Sequence, residues 1–410
     1  MAKTMINRLK SYFLEYQLDF LFGFILFIIS IIISISLKIN VIPTSLGELK
    51  IGYLENGTAV LIHLFKNISW FKPFTVIGNN TEYGVNYFYL HNYLAVPIYV
   101  IFGSSTWALR LIHGFFTSAI VVLVFIYARL ISGKYVSFNH SRIVAILSST
   151  LLMVNFPYLN IGSSEAVYDP PAFFFFLLSI LFWWKSKIVW ALIFFTIGGL
   201  CKPPPMQAAL PGLIISTLIW KKEYFKKINF YITAGICFSI SVWYLQYDVT
   251  SRFSLLFNYL ISFLDTKMSS QTTAQALNQK FMLGNFSINH LMRIIEDAPI
   301  LLATGLLGIW IGYKEPKFTQ MKPLLSVLII SSLIIGYFYF SAVTYGSHYH
   351  YFTFPVLAIT SIFFIVSTKS KDFLYLLICI SLLISFTQFK NYQTLKNTDI
   401  AIIKTEVEKY

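Results

Sequence analysis

Charge is what this sequence has least of. Only 12% of its 410 residues are Asp, Glu, Lys or Arg, against roughly 25% in a soluble domain. So few charges cannot cover a water-facing surface, which excludes an ordinary soluble enzyme and a disordered scaffold. Cysteine is also scarce: Cys201, Cys237 and Cys379 lie far apart inside apolar stretches without Cys-x-x-Cys spacing. Neither a disulfide framework nor a thiolate zinc site follows from them, and they read as packing residues. Carboxylates number 17 against 31 Lys plus Arg, a net charge of +14. In a soluble chain that excess would suggest nucleic acid, but no basic run is interleaved with a soluble core, and membrane topology accounts for it. Internal repeats and low-complexity tracts are missing too.

What fills the space is apolar: 57% hydrophobic and 18% aromatic residues. A bilayer core of about 30 Å takes about 20 apolar residues per helix. Such runs lie near 20–37, 105–128, 143–160, 170–184, 188–201, 206–220, 228–246, 298–313, 323–343, 351–367 and 373–388. The fold expected is an all-α polytopic membrane protein of about eleven transmembrane helices. The first run follows Lys3, Arg8 and Lys10 with no small-residue cleavage site after it, so it reads as an uncleaved anchor. The stretch from Ile188 to Trp220 would be ~50 Å long as one helix, and Lys202-Pro203-Pro204-Pro205 breaks it into a hairpin.

Lysine and arginine then set the orientation. They cluster at every second boundary: Arg129, Lys134 and Arg142; Lys185 and Lys187; Lys221, Lys222, Lys226 and Lys227; Lys314, Lys317 and Lys322; Lys369 and Lys371. Short basic loops mark the cytoplasmic side, so the N-terminus is inside and the tail after Phe389 outside. Two long segments, 40–104 and 247–297, face outward, as do twelve of the seventeen acidic residues. Residues 1–388 form one polytopic domain and 389–410 a short tail, readable as a short amphipathic helix. The expected place is the plasma (inner) membrane with the active site on the outer face, or the ER membrane in a eukaryote.

Within the first outer loop, Val60, Leu61, Leu64 and Phe65 recur at helical spacing, and Tyr89, Tyr93 and Pro97 mark a second apolar stretch. Both read as interfacial amphipathic helices. Glu55 opens the first. It is either an N-terminal helix charge favoured by the dipole or an outward carboxylate over a cavity at membrane level.

These features resemble the GT-C glycosyltransferases, in particular the protein O-mannosyltransferase and lipid A aminoarabinose transferase branch. The likeness rests on an acidic residue opening an interfacial helix after the first span, here Glu55, then Trp70 and Tyr93-Leu94. Phe102-Gly103-Ser104, Trp107-Ala108-Leu109-Arg110-Leu111 and Tyr127-Ala128-Arg129-Leu130 follow. It continues in Tyr168-Asp169-Pro170-Pro171-Ala172-Phe173-Phe174, in Gly198-Gly199-Leu200-Cys201-Lys202-Pro203, and in His348-Tyr349-His350-Tyr351-Phe352 with Pro355. The chain departs from the family's Asp-Glu pair: it has Glu55-Asn56, with Glu48 seven residues earlier, so Glu48 and Glu55 both stand as counterparts, Glu55 fitting the distance to Trp70 better. His350 stands where relatives often carry Arg.

The resemblance implies transfer of a sugar from a polyprenyl-phosphate donor to a hydroxyl of an envelope glycan, lipid or protein, with no nucleic acid involved. Such chemistry needs a carboxylate to take the hydroxyl proton and fixed positive charge for the departing phosphate. On this reading Glu55 is the base, Lys202, Arg110 and His350 hold the phosphate, and Asp169 orients the acceptor, the sugar or Lys202. No cofactor is certain, and a divalent metal is possible. Each residue also has a plainer use: Lys202 snorkelling from a helix end, Asp169 as a helix-start acid, Arg110 paired with an outer-loop acid. A lipid-linked saccharide transporter or flippase, or an inert membrane assembly subunit, are the competing readings.

Overall fold

The computed structural model describes residues 2–38, 90–102, 105–163, 169–244, 288–340, 351–368 and 371–407. Among these residues the regular structure is entirely helical. In chain order the α-helices are α1 (Ala2–Lys38), α2 (Leu90–Phe102), α3 (Ser105–Ser132), α4 (Phe138–Met153), α5 (Phe156–Gly162), α6 (Asp169–Trp184) and α7 (Ile188–Cys201). They continue as α8 (Pro203–Trp220), α9 (Ile228–Tyr244), α10 (Ile288–Asp297), α11 (Pro299–Lys314), α12 (Lys322–Phe340), α13 (Thr353–Ser367) and α14 (Lys371–Val407). Short 3₁₀ turns at Lys222–Lys226 and Pro316–Met321 join α8 to α9 and α11 to α12.

This is a helical membrane protein. Over the described residues each of the eleven apolar runs is mainly helix, although length singles out fewer of them. Gln17–Leu37, Trp107–Ser132, Pro316–Gly336 and Asp372–Lys390 are long and apolar enough to cross a bilayer. The remaining apolar helices are short; α7, with 14 residues, would cover only about 21 Å. The run expected as one span over 143–160 is a bent pair, α4 and α5, turned by 67°. Asn155 causes the break: its side-chain oxygen accepts from the Tyr158 N–H at 2.9 Å and caps α5, and Pro157 contributes no N–H to the new first turn. The amide nitrogen of Asn155 then ties the corner to the Asp297 carbonyl at 3.0 Å, where α10 ends.

The surface is apolar and the interior partly polar, as hydrocarbon as a solvent requires. Phe20, Phe24, Ile236, Phe238, Leu383 and Phe386 are exposed, while Ser118, Ser148, Ser179, Thr217 and Thr360 are buried. Several of these hydroxyls turn back on their own helix, as Ser148 does to the Val144 carbonyl and Thr217 to the Leu213 carbonyl. Helix α3 is central and largely buried, whereas the apolar stretches of α1 and α14 are mostly exposed and form the periphery. Helix α13 is the other central element, buried almost throughout from Phe354 to Ile365.

Without a hydrophobic force between helices in lipid, close packing needs small residues at the seam. Helix α11 packs on α13 through Gly305, Gly308 and Gly312; a methyl at Gly308 would run into the Thr360 carbonyl, and one at Gly305 would meet Leu357. Gly162 works in the same way beside Thr117 and Tyr351. There the Thr117 hydroxyl donates to the Gly162 carbonyl at 2.8 Å, so the Tyr351 hydroxyl, 3.0 Å away, donates to Thr117. The Tyr351 ring stacks on Tyr158 at 5.1 Å.

The basic connections meet at one end of this bundle. Asp19 of α1 accepts from Arg129 at 2.7 and 2.9 Å and from Arg142 at 2.8 Å. Tyr135 packs edge-on against Phe318, Lys134 lies over Trp184, and Lys221 reaches the end of α6. Ser367 bonds to Glu315. Six segments remote in sequence therefore share one end, as expected of loops on one side of a membrane.

Helix α2 follows the long segment after α1, and its Ala95 and Val96 pack with Ala108, Leu109, Ile112 and Phe116 of α3. The helix expected after Glu55 lies outside the described residues. Helix α14 runs from the last apolar run on to Val407, beyond Phe389.

Candidate functional site

At the end opposite the basic loops, α6 begins and α7 ends. Asp169 occupies the first turn of α6, where the helix dipole favours an anion. Pro170 and Pro171 follow with no N–H to satisfy. Lys202 is the single residue between α7 and α8, with extended backbone (φ −155°, ψ 101°). Its N–H closes α7 on the Gly198 carbonyl at 3.0 Å. Pro203, Pro204 and Pro205 open α8, removing three donors that a helix start inside a membrane would otherwise leave unpaired.

The Lys202 ammonium donates to Oδ2 of Asp169 at 2.6 Å. The carboxylate side chain is 1% exposed and the lysine 13%. A tight helical hairpin brings them together. At its far end the Phe182 carbonyl accepts from the Lys187 N–H and the Trp183 carbonyl from the Ser186 N–H, with Ser186 at φ 60°, the pattern of a Schellman closure. Near the site, Gly198 lies against the Ala172 carbonyl: an added methyl carbon would sit 3.1 Å from that oxygen and 3.0 Å from Met206 Cε. Gly198 is one turn before Lys202 and Ala172 about one turn after Asp169, so this antiparallel approach sets the two charged groups face to face.

Arg110 stands at the same end, near the start of α3, and is buried with its guanidinium 5.5 Å from the Trp107 ring. Phe116, less than two turns further along α3, meets Phe174 and Phe175 of α6 at 5.6 and 5.7 Å, which ties this stretch of α3 to the α6 segment after Asp169. Aromatic rings line the neighbourhood, with Phe173 against Tyr351 and Phe352.

Of the five residues singled out in the sequence, Asp169 and Lys202 are in direct contact and Arg110 shares their end of the bundle. Glu55, the alternative Glu48 and His350 lie outside the described residues. Among the described residues no three His, Cys, Asp or Glu side chains converge as a metal site. Other residues of the resemblance prove to be structural ties: the Tyr127 hydroxyl donates to the Leu177 carbonyl at 2.7 Å, and Arg129 is committed to Asp19. Lys221 was legible only as one basic residue in a cytoplasmic loop, yet it is buried and donates to the carbonyls of Trp183 and Trp184 and to the Ser186 hydroxyl, at 2.8, 3.1 and 2.7 Å. No feature of its sequence context separates it from its exposed neighbour Lys222.

No family model matches this sequence, and no curated protein matches it. Among solved structures the chain is similar to the archaeal oligosaccharyltransferase AglB from Archaeoglobus fulgidus, in complex with an inhibitory peptide and a dolichol-phosphate. The TM-score is 0.45 at 12% identity, over 90% of this chain and 56% of that one. The chain thus spans little more than half the length of that neighbour.

Proposed function

We propose that this protein is a membrane glycosyltransferase of the GT-C type, moving a sugar from a polyprenyl-phosphate donor to a hydroxyl of an envelope glycan, lipid or protein on the outer face. The observation that carries the reading is the Asp169–Lys202 pair, a desolvated cation and anion held at a proline-defined helix break. It lies at the end of the bundle away from the basic loops, the end that Arg110 near the start of α3 also occupies. A buried ionisable pair in an apolar bundle is costly to keep and marks a functional position.

In this mechanism the donor phosphate takes its place beside the Lys202 ammonium, with Arg110 and His350 adding positive charge. Asp169 fixes the lysine's position and shields it until the donor arrives. Glu55 accepts the proton of the attacking hydroxyl while the bond from the anomeric carbon to the phosphate oxygen breaks and the new glycosidic bond forms. The phosphate leaves as an anion stabilised by the cations, so one displacement with inversion suffices, and no covalent enzyme intermediate is needed.

The test is transfer by purified protein in vesicles supplied with labelled polyprenyl-phosphate sugars. Glu55→Gln and Lys202→Ala should each lower turnover by on the order of a hundredfold or more, with the folded fraction checked by size exclusion. Transfer that survives both substitutions removes the site assignment. No transfer from any donor, with movement of labelled lipid-linked saccharide across the vesicle, favours the transporter reading instead.

A further inference from the structure

The basic end of the bundle contains a group of cations that the proposed chemistry does not use. Trp184 ends α6 and is half-buried. The Lys185 ammonium lies 4.8 Å and the Lys134 ammonium 5.5 Å from the centre of its ring. Both lysines are exposed, and neither has a carboxylate partner among the described residues. Lys187 is a third exposed cation on the same tight turn.

The usual reason for lysines at such a place is the negative end of a helix, but that role is already taken. Lys221 donates to the last carbonyls of α6, those of Trp183 and Trp184, and to the Ser186 hydroxyl. The same clamp fixes the Lys185-Ser186-Lys187 turn, whose central residue holds a left-handed conformation at φ 60°. The rigid turn therefore holds Lys185 over the Trp184 ring that Lys134, from the α3–α4 connection, also approaches, and the two ammonium groups repel each other. Burial first, then the Lys134 charge, lowers the Lys185 ammonium below the ordinary lysine value. Two cations crowded over one indole at a helix end are short of an anion. An interfacial tryptophan sits at headgroup level, where the anions available are lipid phosphates.

We infer that Lys134, Lys185 and Trp184 form a binding site for the phosphodiester of an anionic phospholipid in the leaflet that the basic loops face. The two ammonium groups take the phosphate oxygens, and the indole packs on the glycerol backbone and first acyl carbons. Lys187 adds charge at the rim.

The site is tested by native mass spectrometry of the full-length protein released from detergent micelles doped with equal amounts of phosphatidylglycerol and phosphatidylcholine. The wild type should retain phosphatidylglycerol preferentially, and Lys134→Gln with Lys185→Gln should cut that preference by on the order of tenfold. Lys222→Gln with Lys226→Gln, which removes the same charge from the same end, should leave it intact. Equal retention of the two lipids by the wild type overturns the assignment, and this arm needs no variant to fold. Equal losses in the two double variants overturn it as well, since the preference would then be general attraction to a positive surface. Displacement of the lipid by millimolar inorganic phosphate would show a site for free anions and not for a lipid.

Discussion

The ammonium of Lys202 and the carboxylate of Asp169 are 2.6 Å apart at the end of a helical hairpin, and the carboxylate is withdrawn almost wholly from its surroundings. A pair in this setting is stable only as a pair. Each charge would keep its desolvation cost and lose the attraction of the other, which is strong because the medium is apolar.

Removing one partner should therefore cost more than removing both. Lys202→Met leaves a buried carboxylate and should lower stability by about 3 to 5 kcal/mol. Lys202→Met combined with Asp169→Asn should recover most of that loss. Thermal unfolding in a fixed detergent measures the difference. Additive effects of the two substitutions would mean that the contact carries little coupling. On the proposed function turnover should not recover in the double variant, because the charge assigned to the phosphate is gone.

The glycine seam between α11 and α13 gives a contrast that depends on packing alone. At Gly308 an added methyl has nowhere to go but into the backbone carbonyl of Thr360, whereas at Gly235 nothing lies within 4 Å. Gly308→Ala should destabilise by about 1 to 3 kcal/mol through overpacking. Gly235→Ala, on the lipid-facing side of α9, should change stability by no more than about 0.5 kcal/mol. Similar unfolding temperatures for the two variants would contradict the tight seam.

The helical character of every apolar run was legible because a run of that length has no other way to satisfy its backbone in lipid. The break at Lys202 was legible because three consecutive prolines cannot continue a helix. The 67° bend at Asn155 was not: the apolar run crosses it without interruption, and although the cap on the Tyr158 N–H is local, the corner is also tied to the Asp297 carbonyl, 142 residues away. The sequence leaves three uses open for Asp169: the acceptor, the sugar or Lys202. Its contact with Lys202 depends on the antiparallel register of α6 and α7, which a single sequence does not print. Arg129 shows the reverse case. It belongs to the most specific stretch of the resemblance, yet its partner is Asp19, set by how α1 packs on α3.

Lys221 should make stability depend on pH in a direction opposite to that of an ordinary paired lysine. Burial lowers its pKa; the Glu223 charge raises it and the Lys227 charge lowers it further. The unfolded chain then holds the proton up to a higher pH than the folded one, so stability rises as pH climbs from the lowered value toward the ordinary lysine value of about 10.4. Unfolding followed from pH 8 to 10.5, in the wild type and in Lys221→Met, isolates the effect by difference because other lysines cancel. The wild type should gain relative to the variant across that window. The variant should also be less stable throughout, since the carbonyls of Trp183 and Trp184 lose their donor. A difference that is flat with pH would mean that Lys221 is hydrated in the folded protein.

Gly198 links packing to chemistry most directly, and graded substitutions there separate the two. Its missing side chain is what allows α7 to lie against the Ala172 carbonyl, one turn below the ion pair. A methyl group would meet a flexible Met206 Sδ–Cε end and one backbone oxygen at slightly less than ordinary contact, so Gly198→Ala should be absorbed by small shifts, costing about 1 kcal/mol or less. A branched side chain cannot be absorbed that way. Gly198→Val must push α7 off α6, and an ångström of separation at this point is transmitted to Lys202 because the turn beyond it is fixed by prolines. Misplacement of that size costs on the order of a hundredfold in a positioned reaction. On the proposed function, Gly198→Val should therefore lose sugar transfer far out of proportion to its loss of stability, whereas Gly198→Ala should keep both. Activity that falls only in step with the folded fraction across Gly, Ala and Val would show that the register of this hairpin does not govern the site.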